Sequence, residues 1–296
     1  MIALIDADIY RYQFGSVEMK HPFLESEMIP ASSDYIKKLV DGSIKEVLDA
    51  TGADEYICAL SGHGNFRNEI ATQQPYKGNR DPQQTRPFHY KTIEDYIISN
   101  HPCVVVDGIE ADDWLGIEQR KDPGNTCIAS RDKDLKTVHG WHYRFACGRS
   151  QPAVAMHWMT EEESMHFFFY QMLIGDNTDN IPGCGKKELV MWGGKEQLRR
   201  KGIGSKGALK ILDGLTTAQE MYDAIKPEYE KVYGESHEEA MLEMARLLYI
   251  GQEVDNLFTW GWLNICNEVE ESTIVYKVDS ENADDIQIEE STNDSD

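Results

Sequence analysis

The sequence has few of the features that disulfide-bonded, membrane and secreted proteins require. The six cysteines form no CxxC pair, and Cys58, Cys103 and Cys127 lie inside short apolar runs, where a thiol behaves as a small hydrophobe. No apolar run approaches the roughly 18 residues that a membrane span needs, and no secretory signal opens the chain. We therefore expect a protein of the reducing cytoplasm that has neither disulfides nor a membrane partner.

Positive charge is also scarce, because 29 lysines and arginines face 52 aspartates and glutamates, for a net charge of −23. A protein that binds nucleic acid ordinarily has a positive surface. The charge is unevenly distributed, however. Residues 268–296 hold eleven acidic residues and one lysine, net −10, whereas residues 186–210 hold eight basic and two acidic residues, net +6, and residues 67–91 five basic and two acidic, net +3. Two positive segments therefore remain, although each is also compatible with an ordinary solvated surface.

Four short apolar runs, alternating with helical patterns, predict the fold class. Continuous apolar runs are typical of strands that are covered on both faces of a parallel sheet. Between them, apolar residues recur at the spacing of an amphipathic helix. This alternation predicts an α/β protein with a wound, mostly parallel sheet. The predicted strands are residues 2–5, 56–60, 103–106 and 126–129, and the predicted helices are residues 34–50, 93–99 and 111–120.

The character of the sequence changes after about residue 155. Helical spacing dominates residues 161–174, 205–212, 218–225 and 237–250. From residue 266 onward aromatic residues are rare and acidic residues dominate, which is typical of a disordered tail. We therefore predict three parts: an α/β domain in residues 1–155, a helical region in residues 156–265 and an acidic tail in residues 266–296.

Acidic residues follow the ends of several predicted strands. Because ligands collect outside the carboxyl ends of the strands in wound sheets, we expect these residues to meet in space although they are far apart in the chain. A further acidic pair lies in residues 175–183, beside a Pro-Gly turn. The candidate ligands are Asp6, Glu110, Asp112, Asp113, Asp132, Asp134, Asp176 and Asp179.

Such a cluster of carboxylates requires cations. Two unit charges about 4 Å apart repel by roughly 4 kcal/mol at an effective dielectric constant near 20. Oxygen ligands suit Mg²⁺ or Mn²⁺, and the absence of histidine and cysteine pairs at ligand spacing argues against zinc. Two such ions about 4 Å apart can activate a water and stabilise the leaving oxygen of a phosphodiester. For any one aspartate taken alone, a helix cap or a turn is the simpler explanation.

A glycine-rich stretch, residues 202–207, precedes a predicted helix within the more basic segment. Its sequence is Gly-Ile-Gly-Ser-Lys-Gly, which can present backbone N–H groups to a phosphate at the helix N-terminus. Together with the acidic clusters, this stretch predicts a metal-dependent nuclease. The residues expected to contact DNA are Gly202, Gly204, Ser205, Lys206, Arg199, Arg200 and Lys201.

Five motifs occur in an order that identifies a family resemblance. The chain resembles the flap endonuclease/5′→3′ exonuclease family, which includes the 5′ nuclease domain of bacterial DNA polymerase I and free-standing phage exonucleases. Each motif alone is moderate to weak evidence, whereas five in order are highly specific. The motifs are Ile5-Asp6-Ala7-Asp8; Phe66-Arg67 with Tyr76-Lys77-Gly78-Asn79-Arg80; Gly108-Ile109-Glu110-Ala111-Asp112-Asp113; Ser130-Arg131-Asp132-Lys133-Asp134-Leu135; and Gly175-Asp176-Asn177-Thr178-Asp179-Asn180-Ile181-Pro182-Gly183.

The resemblance implies a role for each matched position. It implies a PIN-like or resolvase-like sheet with a helix-hairpin-helix-like region at about residues 175–213, which holds the DNA backbone and a K⁺ ion. Lys77, Arg80 and Arg67 would grip the scissile phosphate. The first of two metal ions would be held by Asp6, Glu110 and Asp112, with Asp113 beside them, and the second by Asp132, Asp134, Asp176 and Asp179.

The expected activity follows from the same resemblance. It is a Mg²⁺-dependent or Mn²⁺-dependent 5′→3′ exonuclease or structure-selective 5′ flap endonuclease that acts as a monomer. The substrate would be duplex DNA with a 5′ end, gap or flap, and RNA–DNA hybrids are a further candidate. The family pattern favours a phage enzyme of DNA replication, in which case the protein would act in the host cytoplasm.

The sequence departs from the family pattern at two places. Ser61 stands where the family commonly has an aspartate at the end of the second strand, which predicts weaker binding of the first metal ion or reduced activity. Residues 184–201 are inserted before the glycine-rich stretch, and their basic content predicts an extra DNA-binding loop. Two alternatives therefore stay open: a DNA-binding protein with a degenerate site, and a PIN-like endoribonuclease, which would lack the helix-hairpin-helix-like segment.

Some aromatic and histidine residues have simpler explanations. His139 and His142 have the spacing of a metal-binding pair, but no cysteine or glutamate stands nearby in the sequence, so we expect them to be structural. Tyr10 and Tyr12 could stack on a base or pack in the core.

Overall fold

A six-stranded sheet forms the centre of the computed structural model, which describes residues 1–24, 26–81, 83, 85–148 and 150–265. The acidic tail predicted for residues 266–296 lies outside the described residues. The described strands are β1 (Ile2–Asp6), β2 (Glu18–Lys20), β3 (Met28–Pro30), β4 (Glu55–Ser61), β5 (Cys103–Val106), β6 (Thr126–Ala129), β7 (Gly140–Arg144), β8 (Val154–Met159), β9 (Gly185–Trp192) and β10 (Lys195–Gly202). Six of them form the central sheet, in the order β5-β4-β1-β6-β7-β8, and all four predicted strands are among these six.

The pairing of the strands confirms the predicted α/β fold class with a mostly parallel sheet. Strand β1 pairs in parallel with β4 and β6, β4 pairs in parallel with β5, and β6 with β7. Only β8, at one edge, is antiparallel to its neighbour β7. The parallel strands therefore all end at the same edge of the sheet, which is where the sequence predicts the acidic residues to meet.

The helices cover both faces of the sheet and build the C-terminal half. Their bounds are α1 (Asp8–Gln13), α2 (Ser33–Thr51), α3 (Arg67–Ile70), α4 (Tyr90–Asn100), α5 (Ala111–Lys121), α6 (Glu161–Ile174), α7 (Ser205–Ile211), α8 (Ala218–Tyr233) and α9 (His237–Leu248), and single 3₁₀ turns cover Asp134–Thr137, Gly234–Ser236 and Trp260–Leu263. No helix among the described residues is both long and apolar enough to cross a membrane.

Strand β1 shows why the central strands have continuous apolar sequences. Alternate side chains of a strand point to opposite faces of the sheet. Ile5 packs in a core cluster with Ile36 and Val40 of α2, whereas Leu4 packs with Leu115 of α5 on the other face. Because both faces are buried, neither set of positions can be polar.

The helical region packs directly against the sheet domain. Val106 and Ile109, beside the end of β5, share a core cluster with Phe168 of α6 and Met244 of α9. Residues Met1–Ile265 form one compact unit. The boundary near residue 155 stays a prediction.

Helix α8 is eight residues longer than the sequence pattern predicts, because it continues through Pro227. An internal proline costs a helix roughly 3 kcal/mol. Beyond it, Tyr229 and Tyr233 are buried, and the hydroxyl of Tyr229 donates to the carbonyl oxygen of Met172 at 2.6 Å. Burial of the second half of the helix offsets the cost of the proline.

The insertion is a β-hairpin. Strands β9 and β10 pair antiparallel from Gly185↔Gly202 to Trp192↔Lys195. Gly193 and Gly194 form the two-residue turn with φ values of 59° and 75°. Two-residue turns of type I′ need positive φ at both positions, which favours glycine. The hairpin contains most of the basic segment and leads directly into the glycine-rich stretch that precedes α7.

Candidate metal centre and cleft

A cleft of about 560 Å³ opens at the carboxyl edge of the sheet. Three separate parts of the chain contribute carboxylates to it: the start of α5, the loop and 3₁₀ turn after β6, and the loop after α6. Asp6 lies at the end of β1, close enough to Asp132 for the two carboxylates to repel. The predicted ligands among the lining residues are Glu110, Asp112, Asp132, Asp134, Asp176 and Asp179.

The first group of carboxylates is buried and crowded. Burial, followed by repulsion from Asp8, raises the pKa of Asp6 to about 7. Burial, followed by repulsion from Asp6 and Asp132, raises the pKa of Asp112 well above its ordinary value. One hydroxyl orients the group, because Ser130 Oγ donates to Asp6 Oδ2 at 2.6 Å. These side chains therefore disfavour the ionised state unless a cation joins them.

The second group lies around the loop after β6. Burial, followed by repulsion from Asp132 and Asp176, raises the pKa of Asp134 to about 7. Lys133 forms an ion pair with Asp176 and lies 3.5 Å from Asp134. Gln171 of α6 donates its amide to Asp134 Oδ1 at 2.6 Å. The loop after β6 thus contacts α6 through Gln171 and contacts the loop after α6 through Asp176.

Lys77 and Arg80 reach the cleft from the connection between α3 and α4. Lys77 forms an ion pair with Glu110, its ammonium lies 3.8 Å from Asp179 Oδ2, and its backbone N–H donates to the carbonyl oxygen of Asp179 at 2.8 Å. Lys77 has a φ of 55°, which few residues other than glycine adopt. Arg80 Nη2 donates to Asp179 Oδ1 at 2.9 Å, and the arginine side chain is half exposed. Both cationic side chains therefore line the cleft and lie beside its carboxylates.

The geometry adds residues that the sequence reasoning did not assign. Tyr76 is buried, and its hydroxyl lies 2.7 Å from Glu110 Oε2 and 2.9 Å from Asp179 Oδ2. Lys133, Arg131 and Arg144 also line the cleft. Tyr76, Arg131 and Lys133 lie inside the matched motifs, which was the available signal, whereas nothing in the local sequence connects Arg144 to the site.

The donor set fits divalent cations of the Mg²⁺ type. All of the candidate ligands are carboxylates, which hard cations prefer. In the described part of the chain, no three or more acidic, histidine or cysteine side chains are arranged so that together they could hold a metal ion. The ammonium groups of Lys77 and Lys133 lie among the carboxylates instead. Burial is the main cause of the raised pKa values of Asp6, Asp112 and Asp134, and repulsion between neighbouring carboxylates raises them further.

The structure gives Arg67 and Asp113 a structural role in place of the expected site roles. Arg67 is 1% exposed and Asp113 0%, and the two form a two-pronged ion pair with N–O distances of 2.5 and 2.9 Å. Arg67 also donates to the carbonyl oxygens of Leu247 and Tyr249, and Asp113 accepts from the N–H of Gly251. Because both side chains are committed to these contacts, we assign neither phosphate binding to Arg67 nor metal binding to Asp113.

Ser61 lies at the end of β4, beside the first group of carboxylates. Its hydroxyl accepts from the N–H of Ala111 at 2.8 Å, and its own N–H donates to Asp8 Oδ1 at 3.0 Å. The hydroxyl thus satisfies a backbone donor at the start of α5, which carries Glu110 and Asp112. The position is therefore next to the candidate metal centre, as the alignment of motifs predicts.

Substitution Ser61→Asp is expected to destabilise the metal-free protein and to increase its stabilisation by Mg²⁺. The new carboxylate would lie beside Asp8, at a cost on the order of 1 kcal/mol, or a few degrees in melting temperature. Thermal unfolding in EDTA and in Mg²⁺ measures both effects, with Ser61→Asn as the uncharged control. Equal Mg²⁺-induced shifts in the two variants would contradict a place for Ser61 at the metal centre.

The glycine-rich stretch joins the hairpin to α7. Gly204 is the N-cap residue of α7, and Ser205 is its first residue. Gly202, Lys201 and Lys206 are exposed. For Arg199 and Arg200 only the backbone is described. The predicted DNA-contacting residues therefore form one continuous segment, but their contacts with DNA stay a prediction.

The remaining aromatic and histidine predictions have clear outcomes in the structure. Tyr10 is fully buried against Phe14 and Phe145, whereas Tyr12 is 54% exposed. His142 is buried, and its Nε2 lies 2.7 Å from the carbonyl oxygen of Val138. His142 is therefore structural, as the sequence predicts.

Comparisons with known proteins support the fold. A scan against models of protein families finds no match, and neither does a search of curated proteins. Among solved structures, the chain is similar to a bacteriophage T5 flap endonuclease in a complex with DNA and metal ions, at 18% identity and a TM-score of 0.56 over 83% of this chain and 88% of that one. It is also similar to the bacteriophage T5 5′-exonuclease with bound zinc ions, at 17% identity and a TM-score of 0.57 over the same shares. The resemblance that the motifs indicate is therefore confirmed at the level of the fold.

Proposed function

We propose that this chain is a divalent-metal-dependent 5′ nuclease that hydrolyses phosphodiesters of DNA at or near 5′ ends, gaps and flaps. The observation that carries the proposal is the convergence of carboxylates from separate parts of the chain on one cleft, with Lys77 and Arg80 beside them. Known structures that share the fold include a flap endonuclease and a 5′-exonuclease. Fold alone does not determine function, so the site carries the argument.

Two groups of side chains would hold the metal ions. Asp6, Glu110 and Asp112 would hold one ion, and the other would lie among the carboxylates from the loops after β6 and α6. Mg²⁺ or Mn²⁺ bound there would supply a Lewis acid and lower the pKa of a water. The second group consists of Asp132, Asp134, Asp176 and Asp179.

Lys77 and Arg80 would bind and stabilise the phosphate. Lys77 lines the cleft beside Glu110 and Asp179, so its ammonium could contact a phosphate oxygen bound there. Arg80 is the more exposed of the two and can hold the neighbouring phosphate. Cations that are already in position stabilise charge that develops during hydrolysis.

The duplex would bind along α7 and the hairpin. The N-terminus of α7 presents backbone N–H groups after Gly204, and the exposed Lys195, Lys201 and Lys206 add positive charge. A K⁺ ion at this turn, action on RNA–DNA hybrids, a monomeric state and a part in phage DNA replication are further elements of the proposal, and all of them rest on the family resemblance.

One experiment separates the proposed function from its alternatives. Release of nucleotides from 5′-labelled duplex DNA is measured with Mg²⁺, with Mn²⁺ and with EDTA, and compared with release from RNA of the same sequence. We expect metal-dependent cleavage of DNA. Preference for single-stranded RNA would indicate an endoribonuclease, and metal-independent binding without cleavage would indicate a DNA-binding protein with a degenerate site.

Charge reversal in the hairpin tests the DNA-binding segment. Combined substitution of Arg199, Arg200 and Lys201 with glutamate is expected to weaken duplex binding and to lower the slope of log K against log salt by about one for each phosphate that the variant no longer neutralises. Fluorescence anisotropy between 50 and 200 mM salt, roughly the range in which such slopes are resolved, measures the effect. Lys45→Glu, on the exposed face of α2, is the control. An unchanged slope would show that the hairpin is an ordinary solvated surface.

A further inference from the structure

The segment that leads into Lys77 is anchored to helix α9 by one carboxylate. Glu243 Oε1 accepts from the backbone N–H groups of Thr72 and Gln73, each at 2.8 Å. Its other oxygen accepts from the hydroxyl of Thr72. One side chain thus fixes two successive backbone N–H groups of an exposed segment that has no helix or strand of its own.

The other end of the same segment is fixed by the acidic loop after α6. The amide of Asn180 donates to the carbonyl oxygen of Pro75 at 2.8 Å, and the N–H of Lys77 donates to the carbonyl oxygen of Asp179. At this end of the segment, the backbone of Lys77 adopts a positive φ of 55°. A residue that is not glycine persists in such a conformation only when its surroundings hold it there.

We infer that Glu243 is a positioning residue for Lys77, an inference that rests on the proposed function. The acidic loop and the hydrogen bond from Tyr76 to Glu110 hold the segment at residues 75–77, and Glu243 adds the anchor that fixes its direction from α3. Without Glu243, water can satisfy the exposed N–H groups of Thr72 and Gln73, so the fold persists. The segment then gains freedom, and the ammonium of Lys77 spends less time in the cleft.

Glu243→Ala is expected to lower kcat by about tenfold to 10²-fold, the scale of a displacement of about 1 Å in a catalytic group. The KM for DNA should change less than twofold, since Glu243 is not among the described residues that line the cleft. Glu243→Gln retains an oxygen that can accept from both N–H groups and should recover most of the activity. Glu239→Ala, an exposed position on the same helix, is the matched control.

A double-mutant cycle decides whether Glu243 acts through Lys77. In the Lys77→Ala background, Glu243→Ala should lower kcat by less than twofold, because residues that share one function are not additive. Full additivity, or an equal loss in Glu239→Ala, would overturn the inference.

A second readout does not depend on activity. Trypsin should cut after Lys77 and Arg80 faster in Glu243→Ala than in wild type, with an unchanged melting temperature, and equal cutting rates would overturn the inference. A wild-type protein that cleaves no DNA would overturn the proposed function, whereas the trypsin comparison would still decide whether Glu243 anchors the segment.

Discussion

Replacing Asp132 with asparagine is expected to lower the rate of DNA cleavage by on the order of 10³-fold, the upper end of what the loss of one transition-state-stabilising group costs. Asp132 is the carboxylate that links the two groups. Burial raises the pKa values of Asp6 and Asp112 in the first group, and repulsion from Asp132 raises them further. The pKa of Asp132 itself is raised by burial and by repulsion from Asp179 and Asp176 of the second group. Asparagine keeps the shape and removes the charge that a divalent cation requires.

Binding and cleavage separate the role of Asp132 from a loss of fold. Asp132→Asn should bind duplex DNA in Ca²⁺ with nearly unchanged affinity, since Asp132 repels phosphate and does not contact it favourably. Asp49→Asn, on the exposed face of α2, controls for the loss of one carboxylate elsewhere. Wild-type turnover by Asp132→Asn would show that the second group is not part of a metal centre.

The position of the site was predictable because it depends on short-range patterns and one general rule. Continuous apolar runs identified β1, β4, β5 and β6, and all of them are parallel in the structure. Parallel strands bring their carboxyl ends to one edge, so residues as distant as Asp6 and Asp132 had to meet there. No long-range contact had to be known for that conclusion.

The roles of individual cations were not predictable, because they depend on burial. Arg67 and Lys77 both follow aromatic residues in the same basic segment, and both were expected to bind phosphate. Arg67 is buried, where it pairs with Asp113 and binds the C-terminal end of α9, whereas Lys77 is partly exposed and pairs with Glu110. A buried arginine must be paired, and the sequence does not reveal that its partners come from α5 and α9.

Edge strand β8 and the hairpin were missed for a related reason, although the other edge strand, β5, was predicted. Strand β8 has the sequence VAMHWM, which shows neither strict alternation nor a fully apolar run, because the edge of the sheet is partly exposed. The basic sequence of β9 and β10 reads as a loop, and only the Gly193-Gly194 pair signals a tight turn. A continuous apolar run identifies a strand such as β5 even at the edge of the sheet, whereas a partly exposed strand of mixed sequence such as β8 gives no such signal.

The second large effect is expected for Lys77→Ala, which should lower kcat by about 10²-fold or more, the scale on which removal of one transition-state donor slows an enzyme. Lys77 can contribute in two ways that differ in their kinetic signature. If its ammonium stabilises charge that develops only during hydrolysis, kcat falls and KM changes little; if it only binds the ground-state phosphate, KM rises and kcat is preserved. Its position between Glu110 and Asp179, two of the candidate metal ligands, favours the first.

Arginine at position 77 distinguishes charge from geometry. Lys77→Arg keeps the charge, but the guanidinium is larger and planar, and the backbone at this position is already held at a φ of 55°. We expect partial recovery of kcat relative to Lys77→Ala, because a cation returns to the cleft without the compact ammonium that fits between Glu110 and Asp179. Lys121→Ala, an exposed lysine at the end of α5, should leave both kinetic constants unchanged. Single-turnover measurements with saturating enzyme isolate the chemical step, and a Lys77→Ala variant with wild-type kcat and a raised KM would reduce Lys77 to a binding residue.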